Sequence, residues 1–289
     1  MRGNLPAFEM KAPRSLHEAL ALLAKNPGEW RPFAGGTDLM VLIESGHLAP
    51  AKFVSLWGLP GMNAIEVTPH EVAIGALATY TDVIENSVLR AEFPNLCEAA
   101  RETGAVAIQN RGTIGGNIAN ASPAADTPPS LLVYGARVEL LSSSGMRVVP
   151  YDKFHTGYKR TVMRSDEIIH RVLLDRSTSG LTHYYRKVGT RKAQAISKVC
   201  FSGVLLKTGS AGTGPKIADV RIALGSVSAT PMRAHKTEAS LRGRVIDSSL
   251  LDTAKAELAR EISPIDDIRS NREYRLRVAQ NLLGEFLCR

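Results

Sequence analysis

The sequence predicts an α+β protein, in which strand-rich and helix-rich stretches follow one another. Two observations carry this expectation. NAIEV, EVAIGA and RVELLSSSGMRVVP alternate apolar and polar residues, the period of half-buried antiparallel strands. Beyond residue 178, THYYRKV, ISKVCFSGVLL and IADVRIALGSV read as a three-stranded antiparallel meander, and three helical segments follow them. Strands first and helices after is the order of an α+β domain. A chain of 289 residues is long for a single core. The pattern divides it into a larger domain over 1–177, with subdomains 1–60 and 61–177, and a smaller one over 178–289.

SLHE at 15–18 is a capping box, and Leu16, Ala19, Leu20, Leu23 and Ala24 follow at helical spacing until Pro27 and Gly28 end the helix. A short strand is expected over 31–33, then a glycine turn, a short helix from Thr37 or Asp38 to Glu44, and a strand over 51–56. Helices are expected at 81–87, 94–103 and 128–134, and a strand at 167–174. In the last domain a polar hairpin loop is expected at 207–216. Helices follow in HKTEASLRG, SSLLDTAKAELAREI and NREYRLRVAQNLLGEFL.

Hydrophobic residues make up 44% and charged residues 22%, ordinary for a soluble globular chain. No apolar run is long enough to cross a bilayer and MRGNLPAFEMKAP has no signal-peptide character, so a cytoplasmic location is expected. The formal net charge is +8, but the cations are scattered, with clusters at 186–192 and 269–277. No zinc-finger spacing, ribonucleoprotein strand or helix-turn-helix accompanies them, so nucleic-acid binding is not expected. Cys97, Cys200 and Cys288 are too far apart for a metal or iron–sulfur set. The seven histidines (His17, His47, His70, His155, His170, His183 and His235) have no metal-ligand spacing and read as structural or surface residues.

Two glycine-rich stretches remain, AGGTDLM at 34–40 and TIGGNIANASPAAD at 113–126. The second lacks the bulk to fill a core and the period of an amphipathic helix or a strand. A glycine pair lets main-chain amides approach a ligand with no Cβ in the way. A helix N-terminus after the first pair adds unpaired N–H groups and partial positive charge, and Thr37 and Thr113 can add hydroxyls. Together these make an anion site, and two such loops suit the two walls of a diphosphate. Neither loop matches GxGxxG or GxxxxGK[ST], which excludes the Rossmann fingerprint and the P-loop.

FAGGTDLM followed at this distance by NRGTIGGNIANASPAAD resembles the FAD-binding subunit of the molybdenum hydroxylases, the family of xanthine dehydrogenase and carbon monoxide dehydrogenase. The likeness extends through EII at 167–169 and RKVGTRKAQAISKV at 186–199. It implies a two-part FAD-binding domain of the vanillyl-alcohol oxidase type and a small C-terminal α+β domain of the carbon monoxide dehydrogenase flavoprotein type. It implies that Pro32, Phe33, Ala34, Gly35, Gly36, Thr37, Asp38 and Leu39, with Thr113, Ile114, Gly115, Gly116 and Asn117, line the FAD pyrophosphate, mainly through amides. Asp126 would bind sugar or ribityl hydroxyls, or cap the helix that TPPS begins. Ile169 would make an apolar contact to the cofactor. Lys187 would lie near the flavin, where a cation favours a reduced anionic form; the competing reading is a solvent-facing strand lysine.

The resemblance further implies an electron-transfer role with no catalytic residue and no metal ligand on this chain. Electrons would come from a molybdopterin-binding large subunit through [2Fe–2S] clusters on a small subunit, reach FAD here, and pass to NAD, a quinone or oxygen. The chain has no four-cysteine insertion of the kind that gives hydroxybenzoyl-CoA reductases an extra cluster, and no aromatic residue at 98–111 where some relatives stack one on adenine. Two alternatives are a self-contained FAD-dependent oxidoreductase of the vanillyl-alcohol oxidase type and a binding protein for another anion.

Overall fold

The computed structural model describes residues 7–48, 52–178, 180–209 and 216–289. The first unit holds strand β1 (Glu9–Lys11), helix α1 (Leu16–Lys25), β2 (Trp30–Phe33), α2 (Leu39–Glu44) and β3 (Lys52–Ser55). Its strands form a parallel sheet in the order β1-β3-β2. Ser15 caps α1 by accepting from the Glu18 amide at 3.1 Å. The Glu18 carboxylate does not return to Ser15, as a capping box requires; it accepts from the Arg14 amide at 2.8 Å. Helix α1 buries Ala19, Leu20 and Leu23.

The second unit runs β4 (Ile65–Val67), β5 (Glu71–Gly75), α3 (Tyr80–Glu85), α4 (Ser87–Glu92), α5 (Pro94–Arg101), α6 (Val106–Gln109), α7 (Ile114–Asn120) and α8 (Pro128–Val133). It continues with β6 (Arg137–Ser142), β7 (Gly145–Pro150), the hairpin β8 (His155–Gly157) and β9 (Arg160–Thr161), and β10 (Ile168–Asp175). The main sheet is antiparallel, β4-β5-β10-β6-β7, with a bulge between Ile169 and Arg171. The first two units share one core, built around Leu23, Val54, Ile74, Leu96, Ile114 and Val172.

The third unit holds β11 (Thr182–Val188), β12 (Val199–Thr208), β13 (Lys216–Gly225) and β14 (Met232–Arg233), then α9 (His235–Leu241), α10 (Ser248–Glu261) and α11 (Arg272–Leu287). The expected meander is present, extended by the two-residue β14 into a four-stranded sheet. Most of the polar loop expected at 207–216 lies outside the described residues. Helices cover the sheet over a core of its own, with Phe201, Leu224, Leu258 and Phe286 at its centre. The two larger bodies meet where α5 rests on β11 and α8 on β12 and β13. There Asn95, 2% exposed, donates to Ser202 Oγ and the Gly203 carbonyl, both at 3.0 Å.

Candidate anion and dinucleotide site

The loop over 34–38 joins β2 to α2. Gly36 has φ +75°, a left-handed conformation that glycine adopts without strain, and a Cβ there would lie 2.5 Å from the Phe33 ring. A Cβ on Gly35 would fall on the carbonyl oxygen of Arg111, so this glycine lets the first loop touch the backbone that leads into α7. Between β2 and α2, none of the amides of residues 34–38 donates to a protein acceptor among the described residues. Backbone N–H groups without partners are uncommon, and five in sequence beside a helix start make a site for an anion.

The second stretch is a helix, contrary to the expectation that 113–126 holds none. Thr113 caps α7 by accepting from the Gly116 amide at 3.1 Å, Ile114 and Ile118 are buried one turn apart, and Ala121 ends it at φ +50°. The glycines hide this apolar face from a periodicity reading. Gly115 serves packing: a Cβ there would lie 2.6 Å from the Ala76 side chain and 2.8 Å from its carbonyl oxygen.

The amides of this stretch are occupied. Those of Ile114 and Gly115 donate to the carbonyls of Ala78 and Ala76, both at 2.9 Å, that of Gly116 to Thr113 Oγ1, and that of Asn117 to the Thr113 carbonyl at 3.0 Å. Among the described residues the free main-chain nitrogens are therefore those of the first loop, 34–38, and not those of 114–117. α7 contributes an opposing surface. Gly116 is exposed and faces the first loop, with a Cβ there 4.0 Å from the Ala34 side chain.

Asn117 links this wall to a second cluster by accepting from Thr127 Oγ1 at 2.6 Å. Next to Thr127, Asp126 is 7% exposed. It caps no helix: one carboxylate oxygen accepts from Lys187 Nζ at 2.8 Å and the other from Ser197 Oγ at 2.6 Å. Lys187 also donates to the Glu102 carbonyl at 2.8 Å. Its side chain is 6% exposed, so it is not a solvent-facing lysine. Burial pushes the Asp126 carboxyl above its ordinary range, and the Lys187 ammonium opposes that rise. Ile169 is 5% exposed in the main core, on the strand that packs against α7.

The structure thus brings 34–38 against Arg111 and α7, and Asp126 against Lys187, with Asn117 and Thr127 between the two groups. Sequence reasoning missed Ser197 and Glu102, which hold the ion pair, and Tyr80, buried beside Asn117 and Asp126 with its hydroxyl acidity suppressed first by burial. It missed Arg111, stacked 3.8 Å from the Trp57 ring centre. Ser197, Glu102 and Tyr80 lie outside both glycine stretches, Arg111 stands two residues before Thr113, and their partners are distant in sequence. An open depression of about 490 Å³ borders Trp57, Thr79, Asp82 and Asn110.

Residues 6–175 match the family of the FAD binding domain in molybdopterin dehydrogenase, and residues 183–289 match the CO dehydrogenase flavoprotein C-terminal domain. The chain is 31% identical over 281 residues to the glyceraldehyde dehydrogenase medium chain of Sulfolobus acidocaldarius, covering 96% of each. It is 29% identical to the xanthine dehydrogenase FAD-binding subunit of Escherichia coli O157:H7, covering 93% of this chain and 90% of that one. Carbon monoxide dehydrogenase from Hydrogenophaga pseudoflava, solved in a form that lacks the Mo-pyranopterin moiety of its cofactor, superposes with a TM-score of 0.91 at 28% identity. That match covers 97% of this chain and 96% of its counterpart. Among the described residues no helix is long and apolar enough to cross a membrane, and no group of side chains has the make-up of a metal site.

Proposed function

Because the chain belongs to the FAD-binding medium subunits of the molybdenum hydroxylases, we propose that it carries FAD as the electron-transfer subunit of such a complex. Residues 1–177 form the FAD-binding part in this reading, and 178–289 the C-terminal part. The observation that carries the reading is the run of unpartnered amides at 34–38 facing the glycine surface of α7. This arrangement fits the linked phosphates of a dinucleotide: N–H groups on one side, and a wall with no side chain at Gly116 on the other.

When bound, FAD supplies the electron chemistry, and the protein supplies binding, orientation and electrostatics. Residues 32–39 would hold the pyrophosphate through the free amides, and residues 113–117 would shape the facing wall. Asp126 would accept from sugar or ribityl hydroxyls, and Lys187 would hold its carboxylate in place. Ile169 would back the cofactor with apolar surface. No proton transfer is asked of this chain.

The relatives' names, medium chain and FAD-binding subunit, support partners on either side. In this reading a large subunit binds molybdopterin, a small one holds [2Fe–2S] clusters, and NAD, a quinone or oxygen takes the electrons. The test is to purify the tagged full chain from its native host. Flavin absorbance together with two co-purifying chains, one holding molybdenum and one iron, is the expected result. A chain that arrives alone and takes up no added FAD would overturn the proposal. A chain that arrives alone but with bound flavin would favour the self-contained oxidoreductase.

A further inference from the structure

Arg275, in the first turn of α11, is 3% exposed. Its guanidinium donates to the carbonyls of Ser226 at 2.8 Å and Lys198 at 3.1 Å, and to the Asp267 carboxylate at 2.7 Å. The first two partners lie just beyond β13 and just before β12. Ser226 is held at φ +65°, a left-handed conformation uncommon for a residue other than glycine. Its amide donates to the Pro123 carbonyl at 2.8 Å, and its hydroxyl to the Ser197 carbonyl at 2.9 Å. Ser197 is the residue whose hydroxyl holds Asp126. Pro123 lies three residues before Asp126, and Cys200 Sγ lies 3.5 Å from the Asp126 carbonyl.

The last helix is thereby tied to the Asp126 carboxylate through two serines in series, Ser226 and then Ser197. The guanidinium fixes the backbone of Ser226 and Lys198. Ser226 ties the 123–126 loop of one domain to the 197 loop of the other. Ser197 then orients the carboxylate that Lys187 neutralises. Resting on the reading of this site as the FAD site, we propose that Arg275 and Ser226 are positioning residues for FAD: through Ser197 they hold Asp126 in its binding orientation, so the C-terminal domain completes the cofactor site. A buried side chain held by two carbonyls and a carboxylate has little freedom, and what rests on it inherits that order.

The test measures FAD affinity by flavin-fluorescence quenching on the apo full chain, with the melting temperature followed in parallel. Ser226→Gly is the mild variant, because glycine suits φ +65° and the change removes only the hydroxyl that reaches Ser197. It is expected to weaken FAD binding about three- to tenfold while the melting temperature stays within a few degrees of native. In a Ser197→Ala background the same change should cost less than about twofold, because the contact it acts through is already gone. Arg275→Met is expected to weaken binding about tenfold, and Arg275→Lys to recover most of that, since an ammonium can still reach the two carbonyls. Equal affinity for native chain and Ser226→Gly, or full additivity with Ser197→Ala, would overturn the assignment. Failure of the native chain to bind FAD at all would instead overturn the reading on which it rests.

Discussion

Asp126 and Lys187 meet at 2.8 Å across sixty-one residues of sequence, one from the loop before α8 and the other from β11. The contact joins the two parts of the protein, and both side chains are nearly excluded from water. Such a pair gains little net stability over apolar residues, because desolvation offsets most of the attraction, but removing one partner strands the other charge.

Lys187→Met is therefore expected to destabilise the chain by about 3 kcal/mol near pH 8. The deficit should shrink on acidification. Burial already holds the Asp126 carboxyl above its ordinary value of 3.8, and loss of the ammonium raises it further. A carboxyl raised in the folded state contributes stability that is full below pH 3.8 and is lost as pH rises through the folded value. Urea unfolding of native and variant chains at pH 8 and pH 5 checks this. A deficit equal at both values would show that Asp126 is not left charged and unpaired.

The glycines separate packing from ligand approach. Gly35→Ala places a methyl group on the Arg111 carbonyl and is expected to cost about 1–3 kcal/mol through forced backbone movement. Gly116→Ala differs, because the position is exposed and helical, and the new Cβ meets Thr113 Oγ1 at 2.9 Å and otherwise only the Ala34 side chain at 4.0 Å. The helix gains up to about 1 kcal/mol of propensity against that contact, so the fold should persist. Its FAD affinity is expected to fall at least about tenfold, since the methyl group projects toward the first loop. Melting curves and FAD titrations of both variants distinguish the two roles.

Much of this architecture was legible. The alternating strands, the capped first helix and the strands-then-helices order of the last domain follow from patterns within single segments. Elements of two or three residues, β1 and β14, are too short to leave a pattern. Helix α7 escaped because its helical signal is a threonine cap and two isoleucines among glycines. The sequence singled out Asp126 and Lys187 separately, but a pairing across sixty-one residues leaves no local trace. The occupied amides of Ile114 and Gly115 were illegible for a related reason: their acceptors, Ala78 and Ala76, belong to a neighbouring segment that no glycine motif points to.

The seam between the domains is a further point of measurement. Asn95 carries two side-chain hydrogen bonds across it, its carbonyl accepts from Ser130 Oγ at 3.0 Å, and its amide donates to the Tyr134 hydroxyl at 3.1 Å. Asn95→Ala removes only the side-chain pair and is expected to cost about 2 kcal/mol, since buried acceptors lose a donor and a small cavity opens. Double substitution with Ser202→Ala should cost less than the sum, because the two side chains share one bond. Denaturant midpoints of the four chains give the coupling directly.

His155 offers a pH response of opposite sign from that of Asp126. Its Nε2 lies 3.0 Å from the Tyr151 hydroxyl, while Nδ1 is buried with no partner among the described residues. Burial pushes its pKa down from 6.5 to about 4. The folded state thus favours neutral imidazole, so this contribution to stability is present above pH 6.5 and is lost as pH falls toward 4. Discounted for partial exposure, the loss between pH 7 and pH 4 amounts to about 2 kcal/mol. His155→Gln keeps a polar group within reach of Tyr151 and removes the titration. The native chain should therefore lose about 2 kcal/mol more than this variant over that interval. Unfolding free energies at pH 7, 5.5 and 4 would show the difference opening on the acid side, and parallel curves would exclude His155 as its source.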